Sequence, residues 1–396
     1  MQEAIQIEVR PPQRSVAVAA IGLALVVLGG SMYNILPLLA AGAASKLGFS
    51  AGQAGVMSSV LTGASGASAL LAGVWVRSLR WSRAAALALG GMCAAGLAAM
   101  LAHGYWPFVL LQGLAAFCGS AAFSLGMTIL SDGHESTKGF GVAISAQALY
   151  QIAALWAGPS LLRLSGLNGV LALVAVPAGL AIALTPLLRT AGRTVTAHGA
   201  ARGLLKPATL AAFVGFTAFF VGAGAYWTYL ELMGQALGMS TREVATWSAI
   251  AVAAGVPGGL LATVQAGRFG SLPPLVFAAA LILIAAVMLT GSYGLTAWGV
   301  AGAIYYFAWC YCLTYQFALV NEVDATGRAV AITGACAFFG SAGGAALAAI
   351  YVTAHDYRAV VWIVAIGVCV STAMFTFAAA IHRRDNVRRS DAPAPG

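Results

Sequence analysis

Residues 131–139 read SDGHESTKG and residues 321–329 read NEVDATGRA. Each stretch follows a long apolar run, carries acids in its first part and closes on a cation that opens the next run. A shift of about 190 residues superimposes them, bringing Asp132 onto Glu322 and Lys138 onto Arg328. The same shift brings Gly48-Phe49-Ser50 onto Gly238-Met239-Ser240, Leu70-Leu71-Ala72 onto Leu260-Leu261-Ala262, and Gly104 onto Gly294. Single Ala, Leu or Gly matches are cheap in so apolar a chain. Polar loops that match at one spacing are not, and the chain reads as a duplication.

Of its 396 residues 61% are hydrophobic and 8% charged, against roughly a quarter charged in ordinary soluble domains. The apolar residues come as long runs rather than as a stripe on polar helices. A bilayer core of about 30 Å needs roughly 20 helical residues. Cutting at charges, Gly/Pro turns and polar clusters predicts twelve spans, at 15–41, 53–76, 84–103, 107–131, 139–163, 168–188, 208–235, 243–266, 272–291, 296–320, 329–353 and 359–381. A spanning strand needs only about ten residues and alternates in polarity. The expected fold class is therefore an all-α membrane protein with twelve transmembrane helices in two parallel six-helix repeats. Six spans per half, an even number, give both copies the same orientation about an axis along the membrane normal. The expected organisation is a tail at 1–14, a six-helix bundle at 15–188, a linker at 189–206 (RTAGRTVTAHGAARGLLK), a second bundle at 207–381 and a charged, disordered tail at 382–396. The first run is too long for a signal core of about 7–15 residues and is expected to be retained.

With the N-terminus in the cytoplasm, Arg77, Arg80, Arg83, Lys138, Arg328 and the bases of the linker and tail share one side. Only Lys46, Arg163, Arg242 and Arg358 fall opposite. This asymmetry predicts a multi-pass protein of a bacterial inner membrane with both termini cytoplasmic. It accounts for the net charge of +9 without a nucleic-acid partner. The six Cys all lie inside predicted spans, with no CxxC and no His-rich cluster, so they read as packing residues; neither metal nor cofactor is expected. No P-loop, nucleophile elbow or HExxH occurs, and the loops are too short for a soluble catalytic domain, which argues against an enzyme.

Candidate functional residues are polar or aromatic side chains inside the spans. In YYFAWCYCLTYQFAL, residues 305–319, Tyr305, Trp309, Cys312 and Gln316 recur at helical spacing. Trp309 lies halfway along its run, away from any interfacial aromatic belt. It either packs against small neighbours or walls a cavity that takes an aromatic or amphipathic solute. Gln147, Tyr150 and Gln151 share a face of span five, where they either bond neighbouring helices or line the same cavity. Tyr33 and Asn34 precede Pro37 in GGSMYNILPLL, whose Gly29-Gly30 pair and Pro37 permit a bend. Asn34 either contacts solute or recaptures backbone groups freed by that bend. Tyr226 and Tyr229 form a weaker stripe in span seven. Glu231, in AYWTYLELMGQ, is the one acid well inside a span. Ionised carboxylates are expensive in hydrocarbon and mark proton or substrate paths, so Glu231 is expected to carry a coupling proton, with Trp227 one turn before it. The competing reading is that it reaches water at the outer end of the span or pairs with Arg163.

The duplicated twelve-span pattern resembles the major facilitator superfamily over nearly the whole chain. That family usually has GxLxDRxGRR after its second span; here GVWVRSLRWSR at 73–83 keeps Gly73 and puts Arg77 where the acid is expected. AGPSLL at 157–162 resembles a fragment of the Gly-Pro motif of drug:proton antiporters, with Ala154 and Ser145 where that motif has glycines. YLELMG and YYFAWCYCLTYQFALVNEVDATGR resemble a branch that handles aromatic compounds. The resemblance implies substrate binding between the halves near mid-membrane and alternate exposure of that site by rocking. It gives Tyr33, Asn34, Gln147, Tyr150, Gln151, Tyr226, Trp227, Tyr305, Trp309 and Gln316 as substrate-facing candidates. Arg77, Asp132, Glu322 and Arg328 are its gate candidates, with plain solvation of these charges as the alternative.

The expected function is secondary active transport of a small organic, aromatic or amphipathic solute, coupled to protons, by a monomer in the bilayer. Two alternatives are a multidrug/proton antiporter and, from another class, a non-transporting receptor or scaffold on the same fold. No fixed cation occurs inside the spans, which disfavours multiply charged anions.

Overall fold

The computed structural model describes residues 16–76, 79–131, 136–188, 206–265, 268–290, 294–323, 328–353 and 355–390, without the side chains at 73, 131, 136–141, 144–145, 263, 321, 328, 330–332 and 385–390. The expected linker up to residue 205, the whole expected N-terminal tail, residues 391–396 of the expected C-terminal tail, and Arg77 and Asp132 lie outside the described residues.

All regular elements among the described residues are helical. They are α1 (Val16–Asn34), α2 (Leu36–Leu47), α3 (Ala51–Trp75), α4 (Trp81–Met100), α5 (Tyr105–Ser131), α6 (Ser136–Ala181), α7 (Pro207–Ala236), α8 (Thr241–Gln265), α9 (Leu272–Met288), α10 (Leu295–Val323), α11 (Arg328–Tyr351) and α12 (Arg358–Ser390), with a 3-10 segment, Ile182–Leu188, after α6. Ten stretches are long and apolar enough to cross a membrane. They map onto the twelve expected spans in a simple way. The first span is α1 plus α2, α6 holds the fifth and sixth, and α9 is short at 17 residues.

That α6 is two limbs follows from one hydrogen bond. In a straight helix Tyr150 and Leu173 would stand about 35 Å apart at 1.5 Å per residue, yet the Tyr150 hydroxyl donates to the Leu173 carbonyl at 3.3 Å. The chain turns back between them, and Gly166 takes the positive φ of 62° that the turn requires.

The first span is broken where its sequence dictates. Pro37 has no N–H to offer the carbonyl four residues back, that of Tyr33, and Ile35 leaves helical geometry at φ −97°, ψ 6°. The expected bend is therefore present, just before the proline.

The duplication is visible in the caps. Gly48 and Gly238 both adopt left-handed backbone, at φ 71° and 86°, as do Gly104 and Gly294, at 92° and 89°. The residues that follow build the same device twice. Ser50 accepts from the Gln53 N–H while the Gln53 side chain accepts from the Ser50 N–H; Ser240 and Glu243 exchange the same pair of bonds before α8. Such a reciprocal box satisfies helix-end donors that hydrocarbon and water would otherwise compete for.

The face where α2 ends and α3 begins is called here the far face, and the one where α1 begins and α12 ends the terminal face. The halves meet through α3 on α11, α6 on α8 and α2 on α7. Small residues bring α3 and α11 together: a Cβ on Gly52 would lie 3.1 Å from the Ala349 carbonyl, and one on Gly66 3.2 Å from Phe338 Cβ. Nearer the terminal face the two helices expose Leu70 and Val74 (51% and 78%), and a Cβ on Gly334 would meet open space. Along α3 and α11 the halves thus touch from the far face to about mid-height and part beyond it. One boundary differs from expectation: α12 continues as helix through Ser390, where a charged disordered tail was expected from residue 382.

Candidate functional site

Where α7 faces α10 the contact is made of rings. Trp309 lies parallel to Phe219 (centroids 6.5 Å apart, 18° between planes) and edge-on to Phe220 at 5.9 Å. Tyr306 connects Trp309, at 6.3 Å, to Trp227, at 5.7 Å. Phe216 extends the column to Phe317 at 5.3 Å. Large flat side chains hold two helices apart, and they present a face that is apolar except for an occasional N–H or O–H. Tyr306 and Trp309 are each half-buried. The Trp309 indole N–H and the Tyr306 hydroxyl make no hydrogen bond within the described residues.

The expected stripe on α10 divides. Trp309 is half-buried among the rings of α7 and α10, but Tyr305, Cys312 and Gln316 are 4%, 3% and 1% exposed and turn into the interior of the second bundle. Tyr305 packs on Tyr226 at 4.2 Å. Gln316 donates to Ser371 on α12 at 3.3 Å and to the Cys312 sulfur at 3.4 Å. At 100° per residue Trp309 is the edge of that stripe, and the half-buried face through Tyr306, Trp309 and Leu313 is rotated from it by roughly a sixth of a turn. Tyr226, Tyr305 and Gln316 are therefore placed behind the wall and not on it.

On the opposite side α1 contributes Tyr33, whose ring meets Phe338 of α11 edge-on at 6.0 Å. Asn34, beside it, is 8% exposed and its Nδ2 has no hydrogen-bond partner among the described residues. Gln147 donates to the Val26 carbonyl of α1 at 3.0 Å, and Tyr150 ties the two limbs of α6. Both do the helix-to-helix work that was the alternative reading of their face. Gln151, one turn past Gln147, is half-buried and makes no hydrogen bond within the described residues.

Two side chains of α7 cross between the halves near the far face. The Trp227 indole N–H donates to the Tyr33 carbonyl at 2.8 Å, and the Tyr229 hydroxyl to the Ala51 carbonyl at 3.0 Å. Glu231 follows one turn after Trp227 and is 2% exposed. Its Oε1 accepts from the Gln235 amide at 3.1 Å, and Gln235 also reaches the Thr241 hydroxyl at 3.5 Å. The water-exposed reading of Glu231 does not hold at that burial. Nor does the pairing with Arg163, which is exposed and, like every other base among the described residues, has no ion pair with Glu231. Glu231 is thus a buried carboxyl whose hydrogen-bond partner among the described residues is one neutral amide.

Of the gate candidates, Arg77 and Asp132 lie outside the described residues and Arg328 opens α11 with its side chain undescribed. Glu322 is exposed and accepts from Ser271 at 2.7 Å, within its own bundle. Sequence reasoning passed over Tyr306, Phe219, Phe220 and Phe338. Tyr306 lay in the quoted run, but aromatics occur there on every side of the helix, so no polar side fixes its phase. Among the described residues no three His, Cys, Asp or Glu gather as metal ligands would.

Known proteins share this arrangement. The nucleoside transporter NupG matches at a TM-score of 0.72 with 13% identity, over 91% of this chain and 99% of that one. A bacterial homologue of the human lysosomal transporter Spinster, in an inward-facing and unoccupied conformation, matches at 0.67 with 12% identity, over 97% and 100%. The same homologue, inward-facing and occupied, matches at 0.63 with 15% identity. At these identities the likeness is one of fold. No curated sequence matches. The sequence profile of the Major Facilitator Superfamily matches residues 21–326, well over half of the chain, and the protein, a multi-pass membrane protein, belongs to that superfamily.

Proposed function

We propose that this protein is a secondary active transporter for a small aromatic or amphipathic solute, uncharged or weakly cationic, moved by alternating access and coupled to protons. The observation that carries this reading is the half-buried ring face of Tyr306 and Trp309, adjoining Trp227 where α7 bonds the first half, with the indole N–H of Trp309 and the Tyr306 hydroxyl making no hydrogen bond among the described residues. A planar solute stacks on such a face and accepts from the indole N–H, the tyrosine hydroxyl or the Gln151 amide, and a weak cation gains further from the indole ring. Tyr33 and Asn34 supply the facing side. Glu231, buried with no counter-cation, is the proton carrier in this reading, because neutralising it removes the cost of holding charge in a dry site while the halves move. The excess of Arg and Lys on the terminal face supports its placement on the cytoplasmic side, of a bacterial inner membrane in this reading.

A second reading is a multidrug/proton antiporter, favoured by the almost wholly apolar and aromatic wall. Both readings are tested by counterflow of labelled aromatic acids, amines and hydrophobic drugs in proteoliposomes, with and without an imposed pH gradient. Counterflow of a planar solute that is accelerated by the gradient supports transport, and the direction of acceleration separates uptake from export. Binding without counterflow for every solute would identify a receptor or scaffold and end the proposal.

A further inference from the structure

Two bonds that cross between the halves share an unusual construction. Both donors are aromatic side chains of α7 two residues apart, and both acceptors are backbone carbonyls of the first half. Neither acceptor is an arbitrary one.

The carbonyl of Tyr33 is the group that Pro37 leaves without its helical donor, since an N–H four residues on is what a helix supplies and proline has none. A carbonyl deprived of a partner in a dry protein interior costs free energy until something donates to it. Here the donor is the Trp227 indole N–H, at 2.8 Å, from the other half of the molecule. Trp227 is 3% exposed, so water does not compete for the bond.

The carbonyl of Ala51 lies in the first turn of α3 and has a second lone pair open to the side. Tyr229 reaches it at 3.0 Å only because the next turn of α3 carries Gly55: a Cβ there would fall on the Tyr229 hydroxyl and would lie 2.8 Å from Ala349 Cβ. The Tyr229 ring is steadied from behind by Tyr357, at 5.9 Å. Thus one proline and one glycine of the first half shape two sockets, and two α7 side chains of the second half fill them.

We propose that Trp227 and Tyr229 are a hydrogen-bonded latch that holds the far face shut, with Pro37 and Gly55 as the residues that make its sockets. This rests on the transporter reading only in supposing that the far face opens at all. When it does, Trp227 withdraws and the Tyr33 carbonyl is left without a donor until solvent enters, so each opening has a cost written into the first half by Pro37. Trp227 is thereby a closing residue in the first instance. Its indole N–H is spent on the protein and is not free for solute in this conformation.

The test uses hydrogen–deuterium exchange of the full-length protein in nanodiscs without added solute, followed in peptides covering 45–56 and 346–357 at the far face. Trp227→Phe keeps a ring and deletes the N–H; Tyr229→Phe deletes only the hydroxyl. Each is expected to speed exchange in both peptides by about fivefold, the ratio that one net hydrogen bond represents, with peptides in α4 and α9 unchanged. Pro37→Ala returns an N–H to the Tyr33 carbonyl from within the helix and is expected to loosen the far face by a similar factor. The combination Pro37→Ala with Trp227→Phe should then be no looser than either alone, because both remove the same difference between the shut and open states, the loss of the Tyr33 carbonyl's donor on opening.

Exchange like that of the unsubstituted protein in Trp227→Phe and Tyr229→Phe overturns the latch. So does a Pro37→Ala/Trp227→Phe protein in which the two effects multiply, since that is what unrelated packing defects produce. Acceleration spread over α4 and α9 as well would show general destabilisation and likewise reject it. Because no solute or gradient is present, failure here leaves the counterflow result standing, and absence of counterflow leaves the latch standing.

Discussion

The first helix of each half meets its own bundle differently. In the first half α1 lies against α5 backbone to backbone: a Cβ on Gly29 would stand 2.5 Å from the Gly119 carbonyl, and one on Gly126 2.6 Å from the Gly22 carbonyl. In the second half α7 makes its close approach to α11 and α12 instead, with Gly224 against Ser341 and Gly222 against Val364, and it meets α10 through rings. One duplicated pattern has thus been closed with glycines on one side and propped open with aromatics on the other. Small residues let membrane helices approach and gain packing energy, whereas aromatics keep them apart and leave a face for a solute. In the proposed mechanism the first half is a rigid body that supplies sockets and amides, and the second half carries the stacking wall and the acid.

The sharpest way to break that division is at the acid. If the chemistry of coupling belongs to the second half, Glu231→Gln abolishes accumulation driven by a pH gradient while counterflow at equal pH persists. Full gradient dependence in that variant, measured in the same proteoliposomes, removes Glu231 from the mechanism. Next in size is the wall. Trp309→Ala should raise the half-saturation concentration about tenfold, which corresponds to about 1.4 kcal/mol, with little change in thermal midpoint because Trp309 is only half-buried. A large fall in midpoint with unchanged half-saturation would make Trp309 a packing residue.

The glycine contacts make the opposite expectation for the first half. Gly29→Ala forces a methyl into the Gly119 and Phe123 backbone, and overpacking of this kind costs about 1–3 kcal/mol. Gly302→Ala in α10 places its methyl 3.2 Å from the Tyr226 hydroxyl, a longer approach than that of Gly29 and to a side-chain end in place of backbone. Thermal unfolding in detergent should therefore show Gly29→Ala well below Gly302→Ala, and the reverse order would contradict the contrast between the halves.

What could be read from the chain beforehand follows the same physics. Spans and the duplication were legible because each is set locally, by run length and by the cap residues at 48–53 and 238–243 that recur with the same bonds. The wall was legible as a helix but not as a face. With rings at 305, 306, 307, 309, 311, 315 and 317 nothing in α10 tells the half-buried side from the bundle interior, and Tyr306 was passed over for Tyr305. The latch was not legible at all, because an orphaned carbonyl at Tyr33 can be inferred from Pro37 while its donor lies 194 residues away.

The smallest expected effect separates two glutamines one turn apart on α6. The Gln147 amide is used by the protein, donating to Val26 at 3.0 Å, while the Gln151 amide makes no hydrogen bond among the described residues. Gln147→Leu should then lower the unfolding midpoint by the few degrees that about 1 kcal/mol represents, and leave the half-saturation concentration as it was. Gln151→Leu should do the reverse: it weakens binding of a solute with an exposed acceptor about fivefold and leaves the midpoint alone. Should Gln147→Leu be the variant that weakens binding, the first half contributes more than support to the site, and the division between a rigid half and a solute-facing half would have to be drawn inside α6 and not between the bundles.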